Sequence, residues 1–213
     1  MILYLVRHGE TVTNKSGLIQ GQRDVELSSK GIEDAKELRD LISSLNIDVV
    51  ISSPLKRAID TAKIITDGKY PINIDDRIIE RDWGLIEGVE FTKVDSFKNW
   101  HFSLNTDDNK IEKVQDFLKR LSEFLEDIRS RYPDKKVLVV AHSAVLRGMH
   151  YIINGIPEDG DLLKIEIPNL RIIEFQTPIL EKIYLFPFRP YHYIHTHGPP
   201  LPPQATRSQE TSP

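Results

Sequence analysis

The sequence predicts an α/β domain built on a mostly parallel central sheet with helices on both faces. Three observations predict it. Residues 2–6, 49–51 and 136–141 are short, nearly continuous apolar runs, the pattern of strands covered on both sides. Helix signals follow each run, and strands that alternate with helices are joined by crossovers into a parallel or mixed sheet. The chain has 213 residues, 39% of them hydrophobic, which is enough for one core without covalent staples.

The first strand, ILYLV at 2–6, runs directly into Arg7. Ser28 or Ser29 then caps a helix whose apolar positions Ile32, Ala35, Leu38, Leu41 and Leu45 fall at spacings of three and four. The second strand, 49–51, stops at Ser52, Ser53 and Pro54. Pro54 suits a first helical turn and Ser53 is the natural cap, so a helix is expected over 54–66. Residues 71–79, where Ile72 and Ile74 alternate, read as a further strand or an extended connection. From 81 to 109 the pattern is irregular, with glycines, aromatics and a polar patch at 105–109, and reads as a loop-rich insertion or lid. Val114, Phe117, Leu118, Leu121, Phe124, Leu125 and Ile128 mark a strongly amphipathic helix. A buried-type strand at 136–141 and a helix over 143–153 follow. Short strands are expected at 164–167, 170–175 and 179–185, with turns at Pro168-Asn169 and Thr177-Pro178.

One catalytic domain is thus expected over 1–186. Residues 187–213 hold seven of the thirteen prolines and only three charges, Arg189, Arg207 and Glu210. Such a segment buries too little apolar surface to offset its ordering entropy, so it is expected to be at least partly disordered, or held by a partner, from about Gly198 onward. Residues 199–203 (PPLPP) read either as plain disorder or as a polyproline II docking segment. His192, His195 and His197 have no carboxylate or cysteine close by and are not expected to clip a metal.

Composition excludes several functions. With 28 basic and 32 acidic side chains, net charge -4, the chain has no basic excess for neutralising a nucleic-acid backbone. The absence of cysteine removes disulfides, thiolate metal sites and thiol nucleophiles. No apolar run approaches the ~18 to 20 residues of a membrane span, and the apolar opening is too short for a signal peptide. A cytoplasmic location, without nucleic-acid or membrane partners, is the expectation; the oligomeric state stays open.

Chemistry in an open α/β sheet concentrates at the carboxyl ends of the strands. The first strand ends in Arg7-His8-Gly9-Glu10-Thr11, the second leads through Ser52-Ser53-Pro54 to Lys56-Arg57, and the third buried run ends in His142-Ser143. Adjacent strands would bring two imidazoles and two guanidiniums to one crevice, with helix N-termini adding backbone N–H groups. Arginines bind phosphoryl oxygens bidentately, and a neutral imidazole can attack phosphorus. Glu80, between Ile78-Ile79 and the turn-rich Arg81-Asp82-Trp83-Gly84, is the candidate acid, because desolvation raises a carboxyl pKa.

These residues resemble the histidine phosphatase superfamily, which includes the phosphoglycerate mutases. Leu5-Val6-Arg7-His8-Gly9-Glu10-Thr11 is similar to its signature, and Ser52-Ser53-Pro54-Leu55-Lys56-Arg57-Ala58 to its second block. Glu80 with Gly84, Glu87 and Gly88 is similar to the acid-bearing block, Val140-Ala141-His142 with Arg147 to the last, and Pro168-Asn169 to a late turn. The resemblance implies a phosphoglycerate mutase-like fold in which His8 is the phosphorylated nucleophile, and Arg7, Arg57 and His142 hold the phosphoryl group. It makes Glu80 the proton donor and Asn14 and Gln20 secondary phosphate contacts. Many members carry Gly after the second catalytic His; here Ser143 keeps its backbone N–H for phosphate and is expected to serve as a helix cap.

The expected activity is hydrolysis of small phosphomonoesters through phospho-His8, with no metal or other cofactor required. Mutase-type transfer is the alternative, since Glu80-Arg81-Asp82-Trp83-Gly84 is similar to the mutase block. The insertion, however, offers only Lys93 and Lys98 beside Asp95, Asp107 and Asp108, few cations for a second anionic group. A catalytically silent phosphate-binding module is a further alternative, disfavoured because a pure binder has no use for Glu80. Trp83, Phe91, Phe97, Trp100 and Phe102 are read as substrate walls or as the core of the insertion, and His150 as structural.

Overall fold

A computed structural model describes residues 1–104 and 108–176. Strands β1 (Ile2–Arg7), β2 (Val49–Ser52), β3 (Ile72–Ile74), β4 (Lys136–Ala141) and β5 (Ile172–Gln176) form one sheet in the order β3-β2-β4-β1-β5. Pairings β1·β4, β2·β4 and β2·β3 are parallel, and only β5 runs antiparallel, against β1. The helices are α1 (Val12–Lys15), α2 (Ser29–Glu37), α3 (Arg39–Ser44), α4 (Lys56–Ile65), α5 (Ser96–Trp100), α6 (Val114–Arg131) and α7 (Ser143–Asn154). None of the described helices is long and apolar enough to cross a membrane.

Side-chain alternation along the strands divides the core into two layers. Leu3, Leu5, Val137 and Val139 face α6 and α7, where Phe117, Leu121, Phe124, Leu125, Val145 and Met149 are fully or almost fully buried. Tyr4, Val6, Leu138 and Val140 face the opposite way, onto Ala35, Ile42, Ala58, Ala62 and Ile65. Both faces of the sheet are therefore covered by helices, as the continuous apolar runs predicted. The seven apolar positions read from the α6 sequence are its seven buried residues.

Four local expectations differ. Ser28 is the cap of α2, its hydroxyl accepting from the Gly31 N–H at 2.9 Å, but the helix breaks at Leu38. The core residue beyond the break is Ile42, while Leu41 is 49% exposed. Each spacing of three falls about 60° short of a full helical turn, so two in succession carry Leu41 away from the face of Ala35, whereas a spacing of seven keeps Ile42 on it. Helix α4 starts at Lys56 after an extended Leu55 cap, not at Pro54 after Ser53. Residues 164–167 are irregular rather than a strand: the Ile165 and Ile167 carbonyls accept from the side chains of Arg147 and Arg7 instead of from a neighbouring strand. The expected strand at 179–185, the Thr177-Pro178 turn, the histidines of the tail and its prolines lie outside the described residues.

The insertion contains short 3-10 turns at Gly84–Ile86 and Phe91–Lys93 and the helix α5. Trp83 and Trp100 are buried and meet edge to face at 5.8 Å, and Trp100 packs on Phe117 of α6 at 6.3 Å. These two tryptophans join the insertion to the core layer shared with α6 and α7. Phe91 and Phe97 remain half exposed. A cleft of about 240 Å³ lies within the insertion, lined in part by Ile86, Val89, Val94 and Asn99 and by none of the candidate catalytic residues.

Candidate active site

The parallel register brings the three polar strand ends together. Arg7 pairs with Ala141, and Ser52 with Val140, so β4 lies between the two strands that it serves. The chain leaves both neighbours in register: the His8 N–H donates to the Ala141 carbonyl at 2.9 Å and the Ser53 N–H to the Val140 carbonyl at 3.0 Å. As a result the His8 and His142 rings stand 5.2 Å apart, and both residues are buried.

Each imidazole is held at one ring nitrogen by a neighbour. His8 Nδ1 lies 2.8 Å from the Gly9 carbonyl, which can only accept; Nδ1 therefore carries the proton and Nε2 keeps a lone pair. His142 Nε2 lies 2.6 Å from Ser53 Oγ. The Leu55 N–H also donates to that hydroxyl, at 3.4 Å, and His142 Nδ1 is a buried atom with no partner. Burial, with the Arg57 and Arg7 charges behind it, holds both imidazoles well below their ordinary pKa and therefore neutral.

Two guanidiniums flank them. Arg57, 1% exposed, donates Nη1 to the Arg23 carbonyl and Nη2 to the Gly21 carbonyl, each at 2.7 Å. Arg7 donates Nη1 to the Ile167 carbonyl at 2.5 Å. In both residues Nε is buried without a partner. Burial lowers both, Arg7 to about 10 with partial relief from Glu80, which leaves both charged at neutral pH. The Gly9 N–H donates to Thr61 Oγ1 at 3.0 Å, and that hydroxyl donates to the Arg57 carbonyl at 2.7 Å, tying the His8 loop to α4.

Glu80 is 8% exposed. Its Oε1 accepts from the Arg81 N–H at 2.8 Å and its Oε2 faces the Ala144 N–H at 3.5 Å. Burial nonetheless raises its pKa, outweighing those hydrogen bonds and the nearby Arg57 and Arg7 charges. A buried, protonation-prone carboxyl against the first turn of α7 is a candidate proton donor. Its main-chain carbonyl is held by Gln22 Nε2 at 3.0 Å and Arg120 Nη2 at 3.2 Å.

The remaining candidates divide. Gln20 is buried, one end of its amide bonded to the Thr11 hydroxyl at 2.5 Å and the other end unpartnered. Asn14 closes the capping box of α1, and its Oδ1 also accepts from Asn169 Nδ2, which donates to the His8 carbonyl at 2.9 Å. It thus braces the His8 loop. Ser143 is the first residue of α7, whose cap is His142, so the expected cap role for Ser143 does not hold. Arg81 is committed elsewhere: its guanidinium binds the Asn99 and Glu112 carbonyls and lies about 5 Å from the Trp83 and Trp100 ring centres.

Two supporting residues escaped the sequence reading. Ser53 was assigned to a helix cap, although it lies on the strand end next to His142. Thr61 carries a usable signal, a polar residue one helical turn after Arg57 on the inward face of α4. Among the described residues no three His, Asp or Glu side chains are grouped as metal ligands.

Comparison with known proteins agrees with this geometry. A family model described as histidine phosphatase superfamily, branch 1, matches residues 3–178. The chain is 35% identical over 152 residues to the uncharacterised phosphatase PhoE of Bacillus subtilis (strain 168), covering 71% of this chain and 76% of that one. It is 33% identical over 162 residues to a probable phosphoglycerate mutase, GpmB, of Enterobacter sp. (strain 638), covering 73% and 75%. Its fold superposes with a TM-score of 0.75 on a mutant phosphoserine phosphatase from Entamoeba histolytica solved with phosphoserine, at 27% identity over 84% of this chain and 91% of that one.

Proposed function

Because the chain belongs to the histidine phosphatase superfamily, we propose that it hydrolyses phosphomonoesters through a phosphohistidine on His8, with Glu80 as proton donor. One observation carries this reading. Arg7 Nε, Arg57 Nε and His142 Nδ1 are all buried without partners around a neutral His8. Unpartnered buried donors are costly, and a phosphoryl dianion would satisfy all three at once.

In the first step His8 Nε2 bonds to phosphorus as the ester P–O bond breaks, and the Glu80 carboxyl gives its proton to the departing alkoxide. In the second, the Glu80 carboxylate takes a proton from water, whose oxygen bonds to phosphorus as the N–P bond breaks. Phosphate leaves and both groups return to their starting states. Arg7, Arg57 and His142 stabilise the equatorial oxygens throughout. The pH profile of kcat/KM is then a bell: its acid limb, His8 protonation, lies below the ordinary imidazole range, and its alkaline limb, Glu80 ionisation, lies above the ordinary carboxyl range.

Hydrolysis is favoured over mutase transfer because Arg81, the cation of the mutase-like block, is spent on two carbonyls and two indoles. It is not free to hold a second anionic group. Phosphoserine, the ligand of the Entamoeba structure, is the first ester to assay, beside p-nitrophenyl phosphate and phosphoglycerate interconversion. Phosphate release should be sustained, a base-stable phosphate should map to His8 by mass spectrometry, and His8→Ala should abolish both while the protein stays folded. Undiminished turnover by His8→Ala refutes the assignment.

A further inference from the structure

The loop that anchors Arg57 is itself fastened by a reciprocal exchange of side chains. Gly21 and Gly88 both have left-handed backbones, φ +54° and +87°. Each leaves a vacancy where a side chain would stand, and the other segment fills it. A Cβ on Gly21 would lie 1.8 Å from Glu87 Oε1, and a Cβ on Gly88 2.5 Å from Arg23 Nη1. Glu87 Oε1 accepts from the Gln22 N–H at 2.8 Å, Arg23 Nη2 donates to the Glu87 carbonyl at 2.7 Å, and the two charged groups approach to 3.7 Å. The Glu87 side chain is only 13% exposed, so its carboxylate is a largely buried part of the loop's support.

This exchange bears directly on phosphoryl binding. The Gly21 and Arg23 carbonyls that hold the Arg57 guanidinium flank Gln22, whose N–H is the one held by Glu87. No carboxylate pairs with Arg57 among the described residues, so the plane of its fork is set by those two carbonyls. Asp24 is tied to the Lys56 N–H at 2.8 Å and Gln22 Nε2 to the Glu80 carbonyl at 3.0 Å, while Glu87 holds the peptide N–H between the two carbonyls. A guanidinium offers its donors in a rigid plane, and a small tilt of that plane misdirects Nε and the free Nη hydrogens.

We propose that Glu87 is a positioning residue for the reaction, setting the Arg57 guanidinium for the phosphoryl group by clamping the loop that carries the Gly21 and Arg23 carbonyls. The inference rests on the phosphatase reading, and its test separates the two. Inorganic phosphate is titrated calorimetrically into the wild type, Glu87→Ala and Glu87→Gln, and kcat/KM for p-nitrophenyl phosphate is measured with and without Arg57→Ala. The wild type should bind phosphate. Glu87→Ala should weaken binding roughly tenfold, the scale of a misplaced contact, while Glu87→Gln, which keeps the acceptor for Gln22, should stay within about threefold. In the Arg57→Ala background Glu87→Ala should change kcat/KM less than about twofold, because residues acting as a unit are not additive. Should Glu87→Ala fail to fold, Arg23→Ala removes the other half of the exchange and should weaken phosphate about threefold. Wild-type phosphate affinity in Glu87→Ala, or an equal loss with and without Arg57, overturns the inference alone. A wild type that binds no phosphate overturns the phosphatase reading and the inference with it.

Discussion

Acidification should destabilise this protein through the two buried histidines at its strand ends. His8 and His142 are at most 3% exposed and are held neutral by burial and by the Arg57 and Arg7 charges. In the unfolded chain each binds a proton with a pKa of about 6.5. Below that pH the unfolded state takes up protons that the folded state refuses, so stability is complete above about pH 6.5 and is lost as the pH falls. From pH 7.5 to 5.0 one histidine that stays neutral in the folded state costs at most about 2 kcal/mol, and the pair at most about 4 kcal/mol. Urea denaturation at both pH values, for wild type, His8→Gln and His142→Gln, isolates this contribution, because the carboxylates titrate alike in all three. Each variant should lose up to about 2 kcal/mol less than wild type on acidification. A His8→Gln protein with the wild-type pH dependence would mean that His8 is charged in the folded state at pH 5, and a charged imidazole is no nucleophile.

Three further variants probe the site and its surroundings. Glu80→Gln should lower kcat/KM about 10²- to 10⁴-fold for alkyl phosphates and far less for nitrophenyl esters, whose leaving group departs without a proton, while kcat, which includes the water step, falls for both. Because the folded pKa of Glu80 is raised, its carboxyl costs stability as the pH climbs, so the melting temperature of Glu80→Gln relative to wild type should rise with pH; a constant difference would contradict the buried acid. Ser53→Ala removes the partner of His142 Nε2: turnover should fall roughly ten- to hundredfold and ¹⁵N NMR should show mixed His142 tautomers, with Ser53→Thr restoring one; an unchanged tautomer would show that Ser53 does not set it. Trp100→Ala should cost about 3 to 5 kcal/mol in urea denaturation, and a loss below about 1 kcal/mol would exclude it from the core.

The strands and the long helix were legible because burial on both faces or on one stripe leaves a pattern in consecutive residues. The site was legible for a related reason: Arg7, His8 and His142 stand at strand ends, and a parallel sheet must bring such ends to one edge. What could not be read was set by contacts across the fold. Leu41 and Ile42 are both apolar, and only the phase of the helix decides between them. Ser53 satisfies the local rule for a cap, yet a ring on another strand claims its hydroxyl. Asn14 has the composition of a phosphate contact, but that its amide oxygen also accepts from Asn169 depends on a residue 155 positions away. The Glu87 and Arg23 exchange depends on two left-handed glycines 67 positions apart facing each other, and no local pattern encodes that meeting.

The placement of β4 has a consequence for how activity arises in time. The strand between β2 and β1 is the last of the four parallel strands to be synthesised, and β1 and β2 do not touch each other. Until residues 136–141 leave the ribosome, the ends bearing His8 and Arg57 have no shared partner to hold them in register. Long-range parallel pairing of this kind closes late, because the entropy of the intervening loop is lost before its contacts form. A nascent chain that lacks the middle strand therefore has no sheet that joins its two halves, and the strand ends leading to His8 and Arg57 are not yet brought to one edge.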